Sequence, residues 1–248
     1  MAPCRNIRLT LEYDGTRYHG WQRQKNALSL QEVMEQALAL ITGETVRLIA
    51  SGRTDAGVQA RGQVANFLTR STAPLRAFVK GLNSMLPMDI AVLNAEEVPL
   101  GFHARYDARW KTYEYHILNR PVRSPLHHLY SWWIPEPLNT GALEEATRAL
   151  PGEHDFSTFR AAGGRPGHAV RRVREAVWQS GPEGRLSFSI TTNGFLRGMV
   201  RSLVGTMVEI GKGKYPTAYV KDILDKRDRS LAGPTAPPQG LFLVEVEY

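Results

Sequence analysis

The loop within SGRTDAGVQARGQVANF, residues 51–67, carries the clearest candidate for chemistry in this chain. It displays one carboxylate, Asp55, between Gly52 and Gly57, with Arg53 two residues before it. An aspartate next to an arginine stays ionised in a partly desolvated cleft, where it can act as a nucleophile that forms a covalent intermediate. A turn aspartate also commonly accepts a backbone N–H from two residues further on, which is a purely structural role. Local physics favours the structural role and leaves the catalytic one open.

Aromatic side chains on a predicted strand could supply a surface for a nucleic-acid base. In KTYEYHIL, residues 111–118, strand alternation places Tyr113, Tyr115 and Ile117 on one face. An aromatic ring on a sheet can stack on an extruded base, which contributes about 1 to 3 kcal/mol per base. The alternative is that both tyrosines belong to the protein core, and for Tyr115 this interpretation is favoured.

Two arginines interrupt an apolar segment that is predicted to be a helix over residues 195–210. Arg197 and Arg201 lie one turn apart there, and Gly198 and Gly205 would permit another backbone to approach closely. A buried, unpaired arginine costs several kcal/mol. Arginine in this segment therefore needs a negatively charged partner, which an aspartate or a phosphate would supply.

The overall charge favours a polyanionic partner if the excess positive charge is gathered on one face. The 248 residues include 31 Lys and Arg against 24 Asp and Glu, which gives a net charge of +7. A basic protein without such a partner is the alternative. The residues that could line a groove following an RNA backbone, each equally well explained as solvated surface, are Arg17, Arg23, Lys25, Arg165, Arg171, Arg172 and Arg174.

Several classes of site are excluded by the residues present. Cys4 is the only cysteine, so internal disulfides and cysteine-rich zinc sites are ruled out. GTMVEIGKGK, residues 205–214, fails as a phosphate loop because no Ser or Thr follows Lys212. The histidines show no HExxH spacing, and the adjacent His127 and His128 fit satisfied or solvated side chains better than a metal site. There is no nucleophile elbow either.

The sequence shows neither the pattern of a membrane span nor that of a secretory signal. No run of about 18 apolar residues, the length a membrane span needs, occurs in the chain. The start, MAPCRNIRL, carries charge where a secretory signal has its apolar core. We expect a cytoplasmic protein that does not enter a membrane.

The periodicity of the first 98 residues predicts the element order β-α-β-β-α-β. Ser29 and Glu32 form a capping box, and Gly43 ends the helix that follows. The predicted elements are a strand at 7–13, this helix, strands at 46–51 and 63–68, a helix at 74–86 and a strand at 90–98. That order is the ferredoxin-like split βαβ unit, whose helices cover one face of the sheet.

The remainder repeats this order with longer insertions. The predicted elements are a strand at 111–118, a helix at 143–150 capped by Asn139 or Thr140, strands at 169–178 and 185–193, helices at 195–210 and 218–224, and a strand at 241–248. We therefore expect an α+β protein of two ferredoxin-like βαββαβ units with antiparallel or mixed sheets. The expected domains are residues 1–105, with the Asp55 loop, and 106–248, with Tyr113 and the arginine-bearing helix. Helices would cover the outer faces, and a central cleft would form where the sheets meet.

Several long motifs in order resemble the TruA-type tRNA pseudouridine synthases over nearly the whole chain. They are YDGTRYHGWQRQ at 13–24, the loop motif at 51–67, FHARYDARWKTYEY at 102–115, DFSTFR at 155–160, NGFLRGMVRSLVGTMVEIGKG at 193–213 and APPQGLFLVEVEY at 236–248. Two positions depart from the family pattern: Tyr18 stands where phenylalanine is usual, and Asp107 where serine is expected.

The resemblance implies an isomerase that converts uridine to pseudouridine at positions 38, 39 and 40 in the tRNA anticodon arm. It implies that Asp55 is the nucleophile, that Tyr113 stacks on the target uracil, that Arg201 pairs with the catalytic aspartate, and that Arg53 is associated with extruding the base. It also implies a homodimer without cofactor or metal. Whether Asp55 attacks the ribose or the ring, or acts as a base at the sugar, is left open by the sequence.

Two other classes of function fit parts of the pattern. A non-catalytic RNA-binding or RNA-folding module on the same scaffold would keep the basic cleft and make the carboxylate dispensable. A single-carboxylate nuclease or glycosidase would normally use a second acid or a metal cluster, and the loops offer no obvious companion carboxylate.

Overall fold

The computed structural model describes residues 3–161 and 168–248 of the chain. Internal contacts group the chain into two compact units, Met1–Arg109 together with Leu243–Tyr248, and Trp110–Phe242. The domains expected from the sequence were residues 1–105 and 106–248, with the C-terminal residues assigned to the second domain. None of the helices in the described ranges is long and apolar enough to cross a membrane.

The first unit is built on antiparallel strands. Its elements are β1 (Arg5–Tyr13), α1 (Leu30–Thr42), β2 (Ile49–Ala50), β3 (Gln59–Thr69), a π-helical turn (Ala77–Gly81), α2 (Leu82–Met85) and β4 (Ile90–Val98). Strand β1 pairs antiparallel with β3 on one side and with β4 on the other, and β2 pairs with β3. Ile7, Leu9, Leu11 and Tyr13 are all buried, as their alternation predicts.

Helix α1 begins and ends where its sequence signals place the caps. The Ser29 Oγ accepts a hydrogen bond from the Glu32 N–H at 3.4 Å, and Gly43 adopts a left-handed conformation after the last turn. Leu30, Met34 and Leu38 of the apolar stripe are completely buried. The prediction of this helix is confirmed.

The strand predicted at 46–51 was wrong in most of its length, because the strand β2 comprises only Ile49–Ala50. Side chains of α1 take the backbone groups of Leu48 instead: its N–H donates to the Glu35 Oε1 at 3.0 Å, and its carbonyl accepts from the Gln31 Nε2 at 3.3 Å. A backbone whose polar groups are satisfied by a helix has no need of a ladder partner. Strand β3, in contrast, begins four residues before the predicted 63–68.

In its described part, the second unit contains a mixed sheet and three α-helices. Its elements are β5 (Trp110–Asn119), β6 (Trp132–Ile134), α3 (Thr140–Thr147), β7 (Gly152–Asp155), β8 (Val170–Ser180), β9 (Arg185–Thr192), α4 (Met199–Gly211) and α5 (Tyr219–Lys226). Strand β9 pairs antiparallel with β5 and β8, β7 pairs antiparallel with β8, and β6 runs parallel to β5. The short strands β6 and β7 were not predicted, since three or four residues are too few to show a period.

Helix α4 starts at Met199, four residues later than the predicted 195–210. Gly198 has a φ of 69°, so the left-handed backbone there stops the helix from extending toward Phe195. The carbonyl of Arg197 accepts a hydrogen bond from the Ala161 N–H at 2.9 Å. The prediction that Arg197 lies on the helix, one turn from Arg201, was therefore wrong.

The last strand, β10 (Leu241–Glu247), crosses the boundary between the units in the chain. Helix α3 is capped by Asn139, whose Oδ1 accepts from the Ala142 N–H at 3.0 Å, and it ends three residues before the predicted position. Strands and helices are thus combined as an α+β protein with a mixed sheet.

Candidate active site

The Asp55 loop is a tight turn between β2 and β3. The Val58 N–H donates to the Asp55 carbonyl oxygen at 3.2 Å, which closes the turn. Thr54 is buried, Asp55 is half-buried and Arg53 is exposed. The Arg53 side chain makes no hydrogen bond or ion pair with the described part of the chain. The turn therefore holds its threonine inside the unit and leaves the neighbouring aspartate and arginine accessible.

The segment 18–21 holds this turn from outside. The Trp21 N–H donates to the Thr54 carbonyl at 3.1 Å, and the Gly57 N–H donates to the Tyr18 carbonyl at 3.4 Å. Gly20 has a φ of 86°, and a Cβ on it would lie 2.6 Å from the Thr54 carbonyl oxygen. Only glycine permits this approach, so the motif at 13–24 and the loop motif at 51–67 form one substructure.

A buried polar network supports the loop from beneath. The Tyr13 hydroxyl and the Thr54 Oγ1 are 2.9 Å apart, and the Gln63 Nε2 donates both to the Tyr13 hydroxyl at 3.3 Å and to the Gly52 carbonyl at 3.0 Å. The Ser51 Oγ donates to the Gln63 Oε1 at 2.7 Å. Burial raises the pKa of Tyr13 to about 12, against the opposing effect of its hydrogen bonds to Thr54 and Gln63.

This network was not predicted from the sequence, although one signal for it is present there. Gln63 and Ser51 are polar residues within segments that were predicted as strands, and both are completely buried. Buried polar side chains are hydrogen-bonded in nearly all proteins. Their position next to Asp55 could have identified them as supports of the loop.

In the second unit, β5 carries the two tyrosines on one buried face, as predicted. Tyr113 is 8 % exposed, and its ring lies edge-on against Phe195 with the ring centroids 4.8 Å apart. Tyr115 is fully buried, and its hydroxyl donates to the Pro237 carbonyl at 2.8 Å. Burial raises the pKa of Tyr115, an effect that the nearby charge of Arg201 opposes. Tyr115 is thus a core tyrosine, and Phe195 is a neighbour of Tyr113 that was not predicted from the sequence.

Arg201 lies in the first turn of α4 and is bound to a neighbouring chain segment. Its Nε donates to the Ala236 carbonyl at 2.7 Å, and the Ala236 N–H donates to the Arg201 carbonyl at 3.0 Å. This segment reaches the helix at Gly205, where a Cβ would collide with the Pro234 carbonyl oxygen. The close approach predicted from Gly205 is confirmed, and the hydrogen bond fixes the direction of the Arg201 side chain.

The basic residues predicted to line a groove differ in how far they are engaged. Arg17 is 3.6 Å from Asp89, and Arg23 lies 3.8 Å and 3.6 Å from two carboxylates of α1. Arg171 on β8 donates to the carbonyls of residues 168 and 170, and burial lowers its pKa. The Arg174 guanidinium lies 5.2 Å from the centre of the Trp110 ring. Arg165 is outside the described residues.

Across residues 3–161 and 168–248, no three His, Cys, Asp or Glu side chains come together as a group that could hold a metal ion. The four candidate residues divide between the units, with Arg53 and Asp55 in the first and Tyr113 and Arg201 in the second.

Known proteins similar to this chain decide its family. A family model described as tRNA pseudouridine synthase matches residues 10–107 and 146–248. The chain belongs to this family of isomerases. It is 51 % identical over 244 residues to a tRNA pseudouridine synthase A of Geobacter sulfurreducens, covering 98 % of this chain and 100 % of that relative. It is 48 % identical over 245 residues to one of Pelobacter propionicus, with 98 % and 100 % covered. A Myxococcus xanthus relative is 47 % identical over 242 residues, with 98 % and 91 % covered.

The two departures from the family pattern have clear structural partners. The Tyr18 hydroxyl donates to the Asp89 Oδ1 at 2.6 Å, and its pKa is raised, chiefly by burial and further by this aspartate. The Asp107 Oδ2 accepts a hydrogen bond from the His103 N–H at 2.9 Å. Both polar side chains therefore form hydrogen bonds with residues of the first unit.

Proposed function

We propose that this protein isomerises uridine to pseudouridine at positions 38, 39 and 40 in the anticodon arm of tRNA, with Asp55 as the nucleophile. Membership of the tRNA pseudouridine synthase family supports the reaction. The observation that carries the choice of residue is the loop itself. A half-buried carboxylate is displayed on a turn whose buried side is held by Tyr13, Thr54 and Gln63.

The proposed reaction suits a site with one carboxylate. The bond from the ribose to the uracil nitrogen breaks and a bond from the same ribose carbon to a ring carbon forms. That ring carbon loses a proton and the nitrogen gains one, so the change is redox-neutral and needs no energy donor. A carboxylate fixed in advance can attack without reorganising its surroundings. The ribose and the uracil ring both stay candidates for the atom that Asp55 attacks.

The target base must leave the helical stack, which costs a few kcal/mol. We propose that Tyr113 offsets this cost by stacking on the uracil, with its own ring oriented by the edge contact to Phe195. Arg53 suits a role in extruding the base, because it is exposed and has no hydrogen-bond or ion-pair partner among the described residues. Arg201 is proposed as the counter-charge of Asp55, since it is a permanent cation whose side-chain direction is fixed by its bond to Ala236.

The finer architecture belongs to the same proposal. We propose two ferredoxin-like units, residues 1–105 and 106–248, that form a central cleft for the anticodon arm. We further propose a cytoplasmic homodimer that works without cofactor or metal. The net charge of +7 supports recognition of the RNA through its backbone and shape, as several adjacent targets require.

The deciding experiment treats an unmodified tRNA transcript with the protein and maps the modified uridines. The wild-type protein should form pseudouridine at positions 38, 39 and 40. The Asp55→Asn variant should form none while binding the tRNA within a few-fold of wild type. Asp225→Asn, which changes an exposed aspartate of α5, is the matched control and should keep full activity.

Three results would contradict the proposal. Unchanged turnover by Asp55→Asn would remove the nucleophile assignment. A wild-type protein that binds tRNA and modifies no uridine would instead support the non-catalytic RNA-binding module. RNA cleavage that a chelator abolishes would support a nuclease.

A further inference from the structure

Two buried asparagines hold the loop that follows β4. Asn6 and Asn66 are 1 % and 2 % exposed. The Asn6 Nδ2 donates to the carbonyls of Pro99 at 3.1 Å and Phe102 at 2.9 Å, and the Asn66 Nδ2 donates to the Asn6 Oδ1 at 2.9 Å. The Asn66 Oδ1 accepts from the Ala104 N–H at 2.9 Å. Burying two amides is favourable only when their hydrogen bonds are made, so this position of the loop is strongly specified.

The end of the chain adds a second support. The Tyr248 hydroxyl donates to the Ala104 carbonyl at 2.7 Å, and its ring lies 4.9 Å from that of Phe102. The Arg8 guanidinium lies 5.7 Å from the centre of the Phe102 ring and 5.4 Å from that of Tyr248. Both backbone polar groups of Ala104 are therefore bound by side chains of other elements.

On its outer side the same loop displays His103, Arg105 and Tyr106, which we call the 103–106 cluster. The His103 and Tyr106 rings have centroids 4.3 Å apart and planes inclined by 31°, and the Arg105 guanidinium lies 5.8 Å from the Tyr106 ring. The His103 Nδ1 accepts hydrogen bonds from the Arg105 and Tyr106 N–H groups at 3.2 and 3.3 Å. Tyr106 is nevertheless 76 % exposed. The loop thus orients an aromatic side chain that remains largely exposed to water.

A rigid, exposed aromatic ring beside a cation has the chemistry of a nucleic-acid contact. Every base has a π-face that can stack on such a ring, and an adjacent arginine can bind a phosphate. Ordering the ring in the free protein lowers the entropy cost of binding. Arg105 and Arg109 are both exposed here, and a second copy of this chain, with its net charge of +7, would bring like charges together.

We propose that the 103–106 cluster is an RNA contact in addition to Asp55, Tyr113, Arg53 and Arg201. Tyr106 stacks on an unpaired base of the tRNA, and Arg105 binds a neighbouring phosphate. Asn6 and Asn66 are positioning residues that hold the cluster in place. The inference rests on the proposed function, because it takes tRNA as the bound molecule.

The test measures the affinity of the full-length protein for an unmodified tRNA transcript over a range of salt concentrations. Tyr106→Ala should weaken binding by at least about fivefold, whereas Tyr106→Phe, which keeps the ring, should bind within about twofold of wild type. Met88→Ala removes a fully exposed apolar side chain from the same unit and should change nothing. In turnover assays Tyr106→Ala should raise KM and leave kcat within about twofold, as expected for loss of uniform binding.

Arginine variants separate the phosphate contact from the stacking contact. Arg105→Gln should reduce the slope of log K against log salt by about one phosphate contact, while Tyr106→Ala leaves that slope unchanged. Arg47→Gln, at an exposed arginine of the same unit with no described hydrogen-bond or ion-pair partner, is the charge-matched control.

Binding of Tyr106→Ala within about twofold of wild type would overturn the inference, as would a change in self-association without a change in tRNA affinity. Failure of the proposed function can be distinguished from failure of this RNA contact. If Asp55-dependent pseudouridine formation is seen while Tyr106→Ala binds normally, the function stands and the RNA contact is wrong. If Tyr106→Ala loses affinity and the wild-type protein forms no pseudouridine, the contact stands and the reaction is wrong.

Discussion

The hydroxyl pair of Tyr13 and Thr54 allows the support of the Asp55 loop to be measured. Thr54→Val keeps the shape of the side chain and removes one hydrogen bond of 2.9 Å. Tyr13→Phe removes that bond and also the one that Gln63 donates at 3.3 Å. Both groups are buried, so each deletion leaves a partner that water does not reach.

The magnitudes follow from the number of bonds lost. A buried hydrogen bond contributes about 1 kcal/mol, and an unsatisfied buried partner costs about 1 to 3 kcal/mol. We therefore expect Thr54→Val to lower the free energy of unfolding by about 1 to 2 kcal/mol and Tyr13→Phe by about 2 to 3 kcal/mol. The double variant should cost no more than Tyr13→Phe alone, which gives a coupling energy equal to the cost of Thr54→Val, about 1 to 2 kcal/mol.

Urea denaturation followed by circular dichroism measures these four free energies. Thr10→Val is the control, because Thr10 is a half-buried residue of β1 without a described hydroxyl partner, and it should change the free energy by less than about 0.5 kcal/mol. Both single variants should also lower kcat with little change in KM, since the loop they loosen carries the proposed nucleophile. Additive effects of the two substitutions, within about 0.3 kcal/mol, would refute the network as a connected support.

The remaining predictions concern backbone, pH and substrate. Gly20→Ala should destabilise the first unit by at least about 2 kcal/mol more than Gly43→Ala in urea denaturation. The reason is that a Cβ at Gly20 meets the Thr54 carbonyl at 2.6 Å, whereas a Cβ at Gly43 meets nothing within 4 Å. Equal costs of the two substitutions would contradict the contact. Burial raises the pKa of Tyr13 to about 12 from 10.0, so the unfolded chain loses this proton first. The stabilisation that comes from this raised pKa is therefore present below pH 10 and is lost as the pH rises toward 12. Tyr13→Phe should reduce the fall of the unfolding free energy in this pH range by about 1.4 kcal/mol per pH unit. An unchanged slope would argue against the raised pKa. Tyr113→Ala should weaken tRNA binding about fivefold or more and Tyr113→Phe should not; equal affinities in a binding titration would remove the stacking role.

Elements whose signals are local were predicted well. Helix α1 follows from Ser29, an apolar stripe and Gly43, all of which act within a few residues of the helix. Strand β1 follows from alternation, because one of its faces lies in the core. In both cases the pattern and the tertiary structure demand the same side chains, so a prediction from the sequence is reliable.

Elements that depend on distant partners were predicted less well. The segment 46–51 has a strand-like composition, yet Gln31 and Glu35 of α1 bind the backbone of Leu48. The start of α4 depends on one glycine with positive φ, and periodicity in the apolar residues before it carries no information about that angle. The network of Tyr13, Thr54 and Gln63 joins residues up to 50 positions apart. No local pattern specifies such pairings.

The two roles of Asp55 differ in what they require of its carboxylate. A turn aspartate accepts the N–H two residues on, and in this structure that N–H, of Gly57, donates to the Tyr18 carbonyl. The turn is closed by the bond from Val58 to the carbonyl of Asp55, which any residue offers. Since neither bond uses the carboxylate, an asparagine at this position should keep the turn. A loss of activity in Asp55→Asn with an unchanged free energy of unfolding would therefore report on the reaction and not on the fold.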